Sequence, residues 1–243
     1  MRERKCAVNW PSDVEQIKTE FVPWAPWLTP LERAKVAVVS TGGVYLKKGL
    51  HEPFGENDPS FREFPAVVVN DDLEVSPLVT YDPRYVKEDL NVVFPLERLT
   101  GLAAQGYVGA VAPFAYSFSG HTSALTPLLA NFAPSLAYRM RRMGPDVVLV
   151  VATGAVEHQT AALVARAIEL AGVPTVVLGT DRGVLEAVKA PRSVLVRHPE
   201  GAPLGNPGNA GKHQHLLREA LEAAWQFEGS GLITELPHAW SGW

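Results

Sequence analysis

The chain has 243 residues, of which 47% are hydrophobic and 20% charged, and a formal net charge of -4, an ordinary composition for a folded globular protein. The slight acidity leaves no basic footprint for nucleic acid; no apolar run has membrane-spanning length and no signal-peptide core follows Met1–Lys5, so the expected setting is cytoplasmic. The single cysteine, Cys6, excludes an internal disulfide, a thiolate metal cluster and a Cys-x-x-Cys redox pair.

Residues 1–34 read as an N-terminal arm. Phe21–Leu28 is too proline-rich for a helix and too aromatic to float free, so it is expected to pack on the domain or on a partner subunit, with Trp24 and Trp27 as contact residues in a homo-oligomer. Thr29-Pro30-Leu31-Glu32 has the form of a short capped helix start, with Thr29 as N-cap. Strand Lys35–Val39 then runs into Ser40-Thr41-Gly42-Gly43. Its glycines permit close backbone approach and its hydroxyls suit an anion or carboxylate; the alternative is a tight turn needing positive φ. The fingerprint G-x-G-x-x-G is absent from this turn.

Residues 49–66, broken by Pro53, Pro59 and Pro65, read as a long surface loop. Within it Arg62 is placed either to clamp a substrate carboxylate or to pair with Glu63 at the surface. Val67–Asn70 and Leu73–Val75 suit short strands, and Tyr81–Pro95 suits a pocket wall or a helix with one wet face. A helix over Pro95–Gln105, a strand over Val108–Val111, a loop over Phe114–His121 and a helix over Thr122–Met143, bent near Pro134, follow in turn.

The central unit is the β-branched run Val147–Val151, a small-residue turn at Thr153-Gly154, and an apolar helix with Leu163, Ala167, Leu170 and Ala171 on one side. Gly172 ends that helix and Val173–Leu178 supplies the next strand. Such βαβ units predict an α/β fold, a Rossmann-like doubly wound and mostly parallel sheet over residues 35–230, with a tail at 231–243. Ligands of open parallel sheets sit at the carboxyl ends of the strands. That edge would gather Ser40–Gly43, Thr153, Gly154, Glu157, His158 and His121, and His198 just past the last strand at Ser193–Val196. Glu157 and His158 are general acid/base candidates, His121 a third, and Thr153, Gly154, Arg62 and His198 candidate substrate contacts. His121, Glu157 and His158 also have metal-ligand chemistry, but nothing in their spacing requires an ion, and neither metal nor cofactor is expected. His213 and His215, two apart on the closing helix Lys212–Phe227, point to different faces.

Four segments in order, Val36–Val44, Ser60–Pro65, Asn91–Leu99 and Gly201–Gly208, resemble the selenoprotein B component of the glycine/sarcosine/betaine reductases and the related D-proline reductases, with the likeness running over residues 27–226. The resemblance implies a reductive enzyme whose selenocysteine or cysteine, on the loop after a central strand, cleaves a carbon–nitrogen bond of a small amino-acid-like substrate. It would place that nucleophile near Gly154 and further cysteines near Glu157 and Thr160. This sequence has none of them. Three readings remain open: non-redox acid/base chemistry by Glu157 or His158 on a small molecule, a catalytically silent binding or assembly subunit of a reductase-like complex, and metal-assisted hydrolysis or lyase chemistry. A thiol borrowed from a partner subunit or a small molecule would be a redox variant of the first.

Overall fold

The structure is a computed structural model that describes residues 21–49 and 52–240. Its strands are β1 (Lys35–Ser40), β2 (Val44–Leu46), β3 (Phe61–Pro65), β4 (Leu73–Val75), β5 (Ala110–Val111), β6 (Phe114–Phe118), β7 (Val147–Val151), β8 (Thr175–Gly179), β9 (Arg192–Arg197) and β10 (Leu232–Ala239). Its α-helical segments are α1 (Arg84–Glu88), α2 (Leu96–Ala104), α3 (Leu125–Pro127), α4 (Ala133–Met143), α5 (Ala155–Leu170), α6 (Arg182–Val188) and α7 (Ala210–Trp225).

The main sheet has the order β10-β9-β8-β7-β1-β6-β3 and is parallel except for β3, which runs antiparallel to β6. Side chains of β7 alternate between two cores: Val147, Leu149 and Val151 meet residues of α2 and α7, while Val148 and Val150 meet residues of α4 and α5. Helices therefore cover both faces, as the unbroken apolar run requires. This is the expected Rossmann-like, doubly wound α/β architecture. From β1 the chain moves outward to β6 and then returns to the opposite side of β1 as β7. The order reverses between β1 and β7, which is where such sheets open a crevice.

Several local expectations are corrected. The loop read over residues 49–66 ends in an edge strand, β3, and the loop read over Phe114–His121 begins as β6. β5 and β6 lie in one lane beside β1, interrupted at Pro113, which has no N–H for the ladder. Val67–Asn70 forms no strand, and the sheet does not end at β9, because β10 adds a further parallel strand. Thr29 caps no helix: its hydroxyl donates to Asp146 Oδ1 at 2.6 Å, and only a 3-10 turn follows at Leu31–Arg33. On α5, Leu170 is 69% exposed while Glu157 to Ala165 are all buried, so the helix has no single apolar stripe. It is enclosed by the sheet, α4 and α6.

Cys6, the other residues of the arm before Phe21, and the last three residues of the tail lie outside the described residues. The remainder of the arm packs on its own domain through a buried ion pair. Glu169 Oε1 accepts from Arg192 Nη1 at 2.5 Å and from Thr175 N at 2.8 Å, and its other oxygen accepts from Ala25 N. Arg192 also donates to Ala25 O, and the Trp24 ring lies 3.6 Å from its guanidinium carbon. Removing one partner of such a pair leaves an uncompensated buried charge. Arg192→Met is expected to lose about 3–5 kcal/mol of unfolding free energy. Urea denaturation checks this, and a Glu169→Gln/Arg192→Met double variant should recover part of the loss.

Candidate functional site at the strand reversal

The carboxyl ends of three strands are level at the reversal: Ser40 pairs with Val151 on one side and with Ser117 on the other. The turn after β1 is locked by its own polar groups. Ser40 Oγ donates to Val93 O at 2.7 Å and accepts from Gly42 N at 2.9 Å. Thr41 N donates to Val151 O, Gly43 N to Phe118 O and Val44 N to Ser117 Oγ. The main-chain donors of this turn, and the Ser40 and Thr41 hydroxyls expected to meet an anion, are thus engaged within the fold. Gly43 has the positive φ of the tight-turn alternative, +67°.

Across the reversal, Thr153 Oγ1 donates to Thr41 O at 3.1 Å, and the two threonine hydroxyls lie 3.4 Å apart. Gly154 then starts α5 in an extended conformation, φ -143°. Glu157, fully buried in the first turn, extends back over this point. Its carboxylate accepts from Thr80 Oγ1 at 2.5 and 2.7 Å and from Thr80 N at 3.3 Å. Two glycines make room for it. A Cβ at Gly154 would lie 2.5 Å from Glu157 Oε2, and one at Gly120, whose φ is +69°, would lie 2.6 Å from Glu157 Cγ and 2.6 Å from Thr41 O.

His158 is also fully buried but faces the end of β8. Its Nδ1–H donates to Gly154 O, while Nε2 accepts from Thr180 N at 2.7 Å and Asp181 N at 3.1 Å. Both ring nitrogens are used, which fixes the neutral Nδ1–H form. Burial pushes its pKa below the ordinary imidazole value, against the Gly154 hydrogen bond and the Asp181 charge. Glu157 and His158 do diverge, as adjacent helical residues must.

The other candidates lie apart. Arg62 is tied into its own loop: it donates to Glu52 O, Ser60 Oγ and Asp58 Oδ2 and stacks 4.1 Å over the Phe54 ring. His198 donates from Nδ1 to Pro203 O at 2.9 Å and packs edge-on against Trp240. His121 follows Gly120, with Nδ1 buried and without a hydrogen-bond partner among the described residues. His121, Glu157 and His158 do not converge as a ligand set among the described residues.

Sequence reasoning missed Thr80, Tyr81 and Glu200. Tyr81 is buried and its hydroxyl donates to Gly42 O at 2.7 Å; burial, then the charge of Glu157, raises its pKa well above the ordinary phenol value. The carboxylate of Glu200 accepts from Ala155 N at the start of α5, yet partial burial and the charge of Glu157 raise its pKa. The aromatic cluster at Tyr81 was the available signal, since it suited a pocket wall; Thr80 and Glu200 had none. Two described cavities lie elsewhere: about 980 Å³ between the β2–β4 pair and α1, and about 620 Å³ beside β3 and α4.

Comparison with known proteins bears on this arrangement. A family model described as glycine/sarcosine/betaine reductase selenoprotein B (GRDB) matches residues 7–153. The chain belongs to this family. Among its relatives, D-proline reductase subunit gamma of Acetoanaerobium sticklandii is 30% identical over 215 residues, which is 88% of both chains. Glycine reductase complex component B subunit gamma of Carboxydothermus hydrogenoformans is 26% identical over 219 residues, covering 88% of this chain and 49% of the relative. Sarcosine reductase complex component B subunit beta of Peptoclostridium acidaminophilum is 24% identical over 233 residues, covering 86% of this chain and 51% of the relative. The chain therefore spans about half the length of the glycine and sarcosine reductase relatives. No solved structure matches it significantly. No described helix is long and apolar enough to cross a membrane.

Two expectations follow from the geometry. Because φ at position 154 suits any residue, the cost of Gly154→Ala should come from its contact with Glu157. Gly154→Ala should destabilise the protein and do so much less in a Glu157→Ala background, with a coupling of about 0.5–3 kcal/mol in a double-mutant cycle. Second, burial depresses the pKa values of His158, His198 and His213. The unfolded chain then binds more protons below about pH 6.5, so this stability is present above that value and lost as pH falls through the folded values. Denaturant midpoints should therefore fall from pH ~7.5 to pH ~5; a flat profile would contradict the neutral buried imidazoles.

Proposed function

We propose that this chain is a subunit of an amino-acid-acting complex in which Glu157, rather than a thiol or selenol, meets the ligand. The relatives are named as subunits of D-proline, glycine and sarcosine reductases, and the resemblance puts the family's nucleophile near Gly154. A side chain there would compete with Glu157 for the same space. The single observation behind this reading is the buried Glu157 carboxylate at the strand reversal, covered by Thr80, a residue that is itself exposed. Displacing Thr80 opens the carboxylate to a small ligand. A primary or secondary ammonium group would then donate to Glu157 in place of the Thr80 hydroxyl, and the same oxygen would accept a proton in non-redox acid/base chemistry.

The alternative is a subunit that binds or assembles without turnover. It is favoured by His158, whose nitrogens are both held by main-chain groups, leaving Glu157 without an imidazole partner for proton transfer.

Isothermal titration calorimetry with glycine, sarcosine, D-proline and betaine tests the binding step. At least one ligand carrying an N–H should saturate a single site, and betaine, with none, should bind more weakly. Glu157→Gln should weaken the best ligand roughly tenfold to a hundredfold, as loss of a charge-assisted hydrogen bond requires. Affinity unchanged by Glu157→Gln, or no binding of any of the four, would contradict the proposal.

A further inference from the structure

A second cluster of ionisable side chains lies far from Glu157 in the sequence, where α7 packs near the end of β10. His215 and Glu219 are one turn apart on α7, so they share a face. His238 projects from β10 to the same point. One Glu219 oxygen lies 3.4 Å from His215 Nε2, and the other is hydrogen-bonded to His238 Nε2. The two imidazole rings stand 5.6 Å apart at 79°, and one ligand atom from each of the three residues lies within 4.8 Å of the others.

Two imidazoles and a carboxylate form a donor set suited to a borderline transition ion rather than to the hard ions magnesium and calcium. With metal–ligand bonds of about 2.05 Å, neighbouring donors of a tetrahedron are about 3.3 Å apart. The His215–Glu219 separation already has that value, so the ion needs mainly a shift of His238 away from its direct hydrogen bond. The side chains are 50%, 29% and 23% exposed, for His215, Glu219 and His238, which leaves an ion access and a water in the fourth position.

The place in the fold suggests what the ion does. β10 is an edge strand, paired among the described residues only with β9, and its register shifts between Glu235 and Ala239. His238 lies inside that irregular stretch, where the ladder holds the strand least. We propose that His215, Glu219 and His238 bind one divalent ion of the zinc class, and that the ion fastens the end of β10 to α7.

The test uses untagged, metal-free protein titrated with zinc chloride, with magnesium chloride as control. Metal content after gel filtration and amide hydrogen exchange are the readouts. The expected result is one zinc per chain and slower exchange across Leu232–Ala239, with no effect of magnesium. Both effects should be lost in His215→Ala, whose site is half exposed and tolerant of truncation, and in His238→Ala, and kept in His121→Ala. Absence of stoichiometric zinc, zinc uptake that survives both His215→Ala and His238→Ala, or uptake that leaves exchange in β10 unchanged would overturn the proposal.

Discussion

A carboxylate with no exposed surface needs hydrogen-bond donors and room, and at the strand reversal Glu157 receives both from parts of the chain distant in sequence. Thr80 supplies a hydroxyl and an N–H, and Gly120 and Gly154 supply space that any side chain would take away. The arrangement holds the loop after β4, the end of β6 and the start of α5 in one place. The Thr41–Thr153 contacts join β1 to β7 directly beneath it. The reversal point, where a doubly wound sheet leaves a crevice, is in this protein filled by its own side chains.

That filling bears on how the chain relates to its family. The resemblance puts the family's nucleophile near position 154, and a side chain there would have no room while Glu157 holds its present place. His158, beside it in sequence, serves a different end: it joins α5 to the main chain at the end of β8.

Much of the fold was legible in the residues. Val147–Val151 and Val173–Leu178 read as buried strands because β-branched runs bounded by Gly and Pro leave few alternatives, and the helix between them followed from its apolar spacing. The failures have physical causes. β3 and β10 are edge strands of mixed polarity, so neither shows the apolar run of a central strand. α5 is buried over most of its surface, Leu170 excepted, so its burial has little helical period to read. At the strand ends, Ser40–Gly43, Thr153, Gly154 and Glu157, expected on one edge, do lie near one another. Arg62 was drawn away by Asp58 and Ser60 within four residues of it, and Thr80 was invisible because its role depends on a contact 77 residues distant.

The most direct test is a crystal structure of the Gly154→Cys variant. If Glu157 excludes a side chain at this position, its carboxylate will have left Thr80 and turned away to admit the new sulfur. A cysteine accommodated with Glu157 still bonded to Thr80 would show that the two positions do not compete, and would contradict the steric account of this site.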